Sequence, residues 1–277
     1  MLTLHKHSGF TLVEMIVVIV ITGIIGGMVA MFIRAPVQGY VDSARRAELT
    51  DIADTAMRRM ARDVRTAVPN SLRSSNCTAP CVEFLPTKDG GCYRAQTRPD
   101  GTGDVLDFVA ADGSFDIVGS AINFAANDYI VVGSTQSDGV PPYSTAATGV
   151  LRAYAGAAGP QTSVTITNAV GLPVWAELPS QHFSVVDGAQ RAVTYACVGA
   201  GGRDADGNGT GQLMRYSNYG FNVTPANGAI LANKVEFCDF DYSVSNQRFG
   251  LLAVRLTLTS GGESVTLYNE IHVNNVP

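Results

Sequence analysis

The sequence predicts an α+β protein: a long N-terminal α-helix, with a transmembrane half and an amphipathic half, packed on a C-terminal β-rich domain with antiparallel sheet. Three observations carry that prediction. Phe10 to Ile33 is a predominantly apolar run, uncharged except for one acid, Glu14. From Val37 to Val68, apolar side chains recur at helical spacing. Beyond that, short runs of Val, Ile, Phe and Tyr are punctuated by Gly, Pro, Asn and Asp, as strands and turns are. The resulting boundaries are 1–9 for a short polar leader, 10–33 for the apolar helix, 34–69 for the amphipathic helix and 70–277 for the β-rich domain.

Phe10–Ile33 is long enough to cross a bilayer. At about 1.5 Å per residue it spans roughly 36 Å, against a hydrocarbon core of about 30 Å. It is not laid out as a cleavable secretory signal, because the leader MLTLHKHSG ends in Gly9 before the apolar run and nothing like A-x-A follows it. His5, Lys6 and His7 favour a cytoplasmic N-terminus, and Arg34, Arg45 and Arg46 on the far side weaken that bias. Glu14 is costly here, at about 2.5–3.5 kcal/mol for an acid at the centre of a membrane helix and less near an interface. Either it snorkels to the cytoplasmic surface or it meets a cation. A cut after Gly9 would create such a cation, the new amine of Phe10, four residues before Glu14. Gly23 and Gly27 have the G-x-x-x-G spacing that lets membrane helices approach closely, although glycine is also simply common in such helices.

Val41, Leu49, Ile52, Ala56, Met60, Val64 and Ala67 form the stripe of the second half. Arg45, Arg46, Arg58, Arg59, Arg62 and Arg65 lie mostly off it, interleaved with Glu48, Asp51 and Asp54 at helix-pair spacings. That is the pattern of a solvated face. Pro36 marks a kink or restart, and Pro69-Asn70-Ser71 a stop.

In the β-rich part, strands are predicted at 82–85, 105–109, 129–132 and 163–167, with a Gly/Ala/Ser/Thr-rich loop region at 133–161. Leu251–Thr259 and Glu263–Val273 flank Ser260-Gly261-Gly262 as a long hairpin. VEFCDFDYS alternates, placing Val235, Phe237, Asp239, Asp241 and Ser243 on one face and Glu236, Cys238, Phe240, Tyr242 and Val244 on the other. Cys238 thus shares a face with two aromatics, and RAVTYACV supplies a second strand with Cys197, so a Cys197–Cys238 bridge is the first choice. Cys77, Cys81 and Cys92 then hold one bridge and a spare thiol, the pairing open. Three zinc thiolates are the rival use, without a fourth ligand at suitable spacing. All five cysteines lie beyond the apolar segment, which suits an oxidising compartment reached by translocation.

Charge and motifs exclude several functions. Residues 34–70 carry seven arginines against five acids, whereas 71–277 carry eleven basic against eighteen acidic groups. A clustered basic face for nucleic acid is therefore not expected. Asp204, Asp206 and Asn208 begin a D-x-D-x-N-G calcium loop, but the twelfth position is Arg215 rather than an acid, and a polar hairpin turn is the plainer reading. No cofactor is expected apart from that weak calcium candidate. Outside the leader only His182 and His272 remain as histidines, and H-E-x-x-H, G-x-S-x-G and a phosphate-cradling loop are all missing, so no catalytic residue is assigned.

G-F-T-L-V-E, with Gly9 before the cut, Phe10 after it and Glu14 fifth in the mature chain, resembles the processing motif of type IV prepilins and type II secretion pseudopilins. The resemblance implies cleavage by a prepilin peptidase, N-methylation of Phe10, and packing of the apolar helices in a filament core, where Glu14 meets a neighbouring subunit's amine. It also implies a single-pass inner-membrane precursor with a periplasmic C-terminal domain, handled by an assembly platform and joined with other minor pilins and the major pilin at the cell surface. Stretches across the chain, among them YVDSARRAELTDIADTAMRRMARDVRTAVPNSLR, CVEFLP, LMRYSNYGF and LYNEIHVNNVP, are most similar to the O-type minor pilins of the mannose-sensitive haemagglutinin (MSHA) pilus. W-type minor pilins and J-type pseudopilins share the plan. A tip adhesin using the loops at 133–161 is the binding-module alternative.

Overall fold

The computed structural model describes residues 9–74, 76–77, 79–135, 140–146, 149–167, 171–243 and 250–273. They form an α+β protein in two compact units, Met1–Glu48 and Leu49–Pro277. Helix α1 (Leu12–Arg65) contributes to both, and it continues through Pro36 rather than restarting there. A helix survives an interior proline by giving up one backbone hydrogen bond.

In the first unit every described side chain from Gly9 to Arg34 is exposed. The segment is long and apolar enough to cross a membrane. The hydroxyl of Thr22, in mid-segment, is satisfied locally, Oγ1 donating to the Val18 carbonyl at 2.7 Å.

In the second unit the amphipathic part of α1 buries Leu49, Ala53, Ala56, Met57, Met60, Ala61 and Val64. Ala53, Met57 and Ala61 widen the expected stripe, while Val41 is exposed and Ile52 only half-buried. The helix ends at Arg65, short of the expected stop, because Ala67 bridges Pro86 and the Val68 N–H donates to the Leu85 carbonyl at 2.8 Å. Sheet pairing has taken the backbone from the helix.

That helical face shares a core with the first of two six-stranded sheets, in which every pairing is antiparallel. Its order is β1 (Cys81–Phe84), β10 (Ala192–Val198), β11 (Gly211–Tyr219), β12 (Ala229–Asp241), β13 (Leu251–Ser260) and β14 (Glu263–His272). The β13–β14 hairpin turns on Gly261 and Gly262, at φ 57° and 85°. Two consecutive positive φ angles make the tight turn that glycine allows. In β12 the expected alternation fails at Glu236: Val235 pairs Leu258 and Phe237 pairs Thr257, so one residue bulges and Val235 joins Cys238 among the buried residues.

The second sheet runs β6 (Leu151–Ala153), β5 (Tyr129–Val132), β9 (His182–Val186), β2 (Thr87–Tyr93), β3 (Ser114–Val118) and β8 (Ser163–Thr165), with β4 (Ile122–Phe124) and β7 (Gly159–Gln161) paired apart. Its own core includes the chain of rings Phe108, Tyr93, Phe115 and Phe183, with centroids 5.7, 6.3 and 5.4 Å apart in turn. The strand expected at 105–109 is instead a loop. Leu106 and Phe108 are buried as alternation required, but Asp107 Oδ1 accepts the Val109 N–H at 2.6 Å and curls the chain. The region 133–161 is not all loop, since it contains helix α2 (Val140–Tyr143), β6 and β7; residues 136–139 and 147–148 fall outside the described residues.

Candidate functional site: the helix start and its supports

Gly9 and Phe10 precede α1 and are both exposed, Phe10 at 78%. Nothing lies within 4 Å of where a Gly9 side chain would begin. Thr11 and Glu14 close the helix start on each other: the Glu14 N–H donates to Thr11 Oγ1 at 3.3 Å, and the Thr11 N–H donates to Glu14 Oε2 at 3.4 Å. This is a capping box, in which a carboxylate satisfies a backbone donor the helix leaves free and meets the positive end of its dipole. The T-x-x-E spacing is its sequence signal. Within the chain, then, Glu14 already has a polar partner, Thr11, the residue next to Phe10. Residues 1–8 of the expected leader lie outside the described residues.

Glycines 23, 26 and 27 have nothing within 4 Å of a would-be side chain. Their backbone is open to a neighbouring helix. The arginines behave as a solvated face: Arg58 pairs with Asp54 at 2.6 Å one turn away, and Arg45 lies 3.7 Å from Asp42.

Two polar clusters hold the second unit together. Asp63 Oδ2 on α1 accepts the Tyr195 hydroxyl of β10 at 2.7 Å and the Arg215 Nε–H of β11 at 2.8 Å. Burial and the neighbouring carboxylate push the Tyr195 phenol well above its ordinary value. Glu83 of β1, fully buried, accepts from Arg73 Nε at 3.0 Å and from Asn76 Nδ2 at 2.7 Å, while the Arg73 guanidinium lies 3.5 Å from the Tyr143 ring centroid. Burial, with Glu83 nearby, raises the Tyr143 and Tyr219 phenols as well. Sequence reading missed both clusters: Asp63 is far in the chain from Tyr195 and Arg215, and Arg73, Asn76 and Glu83, though near one another, are brought together only when the chain folds back to pair Arg73 with Glu83.

Cys197 of β10 is bonded to Cys238 of β12, their Cα atoms 6.2 Å apart. Cys77 is bonded to Cys81, and Cys92 is a free, half-buried thiol. The 203–209 segment is a turn. Asp204 Oδ1 accepts the Asp206 and Asn208 N–H groups at 3.0 and 2.8 Å, Asn208 Nδ2 donates to Asp204 Oδ2 at 3.2 Å, and Asn208 Oδ1 accepts the Gly261 N–H at 3.1 Å. These bonds, the Asn208 N–H first, hold the Asp204 carboxyl below its usual range. They occupy lone pairs a cation would use. Among the described residues no group of three or more His, Cys, Asp or Glu side chains is placed to hold a metal ion.

These features define a class of protein: an α+β chain whose bare apolar helix begins just after an exposed Gly-Phe junction and carries a capping acid in its first turn. Residues 4–32 match the family model of the prokaryotic N-terminal methylation motif. The match supports a type IV pilin-like protein, a prepilin or pseudopilin, processed by a prepilin peptidase and assembled with other pilins in a membrane system. No curated protein and no solved structure matches the chain.

Proposed function

We propose that this chain is a minor pilin of a type IV pilus, of the O type of the MSHA system, that primes assembly and sits at or near the filament tip. The observation that carries the reading is the conjunction at the helix start: a matched methylation motif at 4–32 and an apolar segment with no buried side chain of its own. So much exposed apolar surface requires a covering, lipid before assembly and neighbouring helices after it. Prepilin peptidase cuts after Gly9, the Phe10 amine is methylated, and Glu14 meets the amine of an adjacent subunit. The single-pass precursor keeps its β-rich domain in the periplasm, where the disulfides belong. Its work is structural, through helix packing and docking of other pilins.

The test is a mass measurement on membrane fractions of wild type and Gly9→Ala. The wild-type mature chain is expected to begin at methylated Phe10, and Gly9→Ala to retain the leader. A wild-type chain with an unprocessed start overturns the reading. The same motif serves pseudopilins, so a J-type pseudopilin of type II secretion is the second reading. Restoration of piliation, as against secretion, in the respective deletion strains separates the two.

A further inference from the structure

An edge strand leaves a row of backbone N–H and C=O groups that another chain can pair with, and folded proteins cover or shorten such edges. Three of the four edges of the two six-stranded sheets are covered. β6 and β8 meet at their flanks, the Ala155 N–H donating to the Thr165 carbonyl at 2.8 Å and the Thr167 N–H to the Ala153 carbonyl at 2.9 Å. β1 is covered by Arg73, whose N–H donates to the Glu83 carbonyl at 2.9 Å and whose carbonyl accepts the Glu83 N–H at 2.8 Å. Among the described residues β14 pairs with β13 alone. It runs ten residues in unbroken register, without proline, lysine or bulge. We propose that its free edge takes up an extended segment of a partner protein as a further strand, apolar on the side of the α1 core and basic opposite Glu270. The inference goes beyond the filament reading, because strand addition needs neither cleavage after Gly9 nor assembly.

The hairpin register says which groups are free. The tight turn at Gly261 and Gly262 makes Ser260 and Glu263 a hydrogen-bonded pair, so the odd-numbered residues from Glu263 to Ile271 turn their backbone groups toward β13. The Val273 N–H, donating to the Gly250 carbonyl at 2.7 Å, continues that set. The alternate residues Ser264, Thr266, Tyr268, Glu270 and His272 turn theirs outward, and all five are exposed. A strand laid beside them pairs backbone groups that water alone now serves.

The side chains select the partner. On one face Val265 and Leu267 are half-buried at the margin of the core shared with α1, so apolar side chains beyond them extend that core. On the other face Glu270 accepts the Tyr268 hydroxyl at 2.8 Å, and among the described residues no cation pairs with it. Asp241 stands in the same row, since it and Glu270 both oppose Ala253 of β13. Opposite charges across a strand pair are favourable and like charges are not, so lysine or arginine fits opposite Glu270 and an acid does not. β14 has no lysine or arginine, so a second copy paired through the same edge brings Glu270 no permanent cation.

The experiment uses the full chain in lipid nanodiscs and a fluorescein-labelled peptide in which valines alternate with lysines and threonines, followed by fluorescence anisotropy. Two control peptides carry glutamate in place of lysine, or methyl groups on alternate backbone nitrogens. The lysine peptide is expected to bind saturably, and each control about tenfold more weakly or worse, the size of one lost net hydrogen bond or more. Thr266→Pro deletes an outward N–H and leaves the ladder to β13 intact, so it is expected to weaken binding about tenfold. Thr266→Ala loses the hydroxyl bonded to Thr257 but keeps the N–H, and is expected to bind as wild type does. Glu270→Lys is expected to disfavour the lysine peptide and favour the glutamate one; Glu270 is exposed, so this variant reports on the edge even where Thr266→Pro disturbs folding. Silence from the lysine peptide, equal binding of the methylated one, a preference for glutamate, or indifference to both Thr266→Pro and Glu270→Lys overturns the inference. Energy transfer between donor- and acceptor-labelled chains that Thr266→Pro abolishes overturns it too, since the edge then belongs to a second copy. None of those results bears on processing at Gly9, so the filament reading stands or falls separately.

Discussion

Asp63 is the strongest single test of how α1 is fixed to its sheet. One carboxylate oxygen serves both the Tyr195 hydroxyl at 2.7 Å and the Arg215 Nε–H at 2.8 Å, with side-chain exposures of 26% for Asp63 and 15% for Arg215. Asp63→Ala removes a charge-assisted bond of about 1.5–3 kcal/mol, drawn toward the low end by partial exposure, and leaves the phenol of a buried tyrosine unpaired. The combined loss is expected to be about 2–4 kcal/mol. Asp63→Asn keeps an acceptor for Tyr195 but not the charge facing Arg215, so about 1–2 kcal/mol is expected. The assay is urea unfolding of the full chain in nanodiscs, followed by the fluorescence of Trp175, the sole tryptophan. A cycle with Arg215→Met isolates the pair. If Asp63→Ala lies within about 0.5 kcal/mol of wild type, the cluster is not what joins helix to sheet, and the reasoning fails.

Three further outcomes follow from the same structure. Replacing Cys197 and Cys238 together by alanine opens a loop with a sequence separation of 41 and is expected to lower stability by roughly 4 kcal/mol on the chain-entropy account; urea midpoints equal to wild type would refute that. Tyr143, Tyr195 and Tyr219 are all raised, so their protons leave the unfolded chain first: stability is whole below about pH 10 and falls as pH rises above it, by up to about 4 kcal/mol per pH unit, and urea midpoints that stay flat through that window would contradict the burial argument. Glu14→Gln keeps the capping acceptor and drops the charge, whereas Glu14→Ala drops both; each is expected to be processed at Gly9 but to lose piliation under electron microscopy, and wild-type piliation by Glu14→Gln alone would assign the residue to the cap.

The helix and the terminal hairpin were legible because each is set by local chemistry. An apolar run of membrane length and a Gly261-Gly262 turn need no distant partner. The burial of Cys238 at 5% was legible too, from Phe240 and Tyr242 on the same face. Strand β2 was not, because Asp89-Gly90-Gly91 has the composition of a turn. Gly90 is there for space: a side chain would begin 2.9 Å from the Phe183 carbonyl oxygen, so the glycine lets β2 and β9 pair closely. The bulge at Glu236 reversed the expected position of Val235, as any one-residue slip reverses a strand's faces. The free edge of β14 was invisible for another reason. A hairpin reads locally, but which of its strands ends the sheet is decided only when every other strand has paired.

Glu14 joins the two halves of the argument. As sequence it was an acid in a stretch meant for lipid, and pairing with a neighbour's amine was the remedy for its cost. The structure adds a remedy inside the chain, since Glu14 closes a capping box with Thr11. The two are compatible in sequence of events. In a precursor still alone in the membrane, as proposed, the cap and the helix dipole would hold the carboxylate near the interface, where insertion costs least. On the proposed processing, a cut after Gly9 would place a free amine on Phe10, next to Thr11, so the mature chain would carry a cation and an anion one helical turn apart at a single end. A charge pair within one chain gives no order to a filament. The proposed exchange of partners between chains would, because each amine would then reach a carboxylate only when neighbouring helices are staggered correctly. On that proposal the cap would keep the acid tolerable until the stagger is available, and the glycines at 23, 26 and 27, with nothing within 4 Å of a would-be side chain, would leave room for the helices to find it.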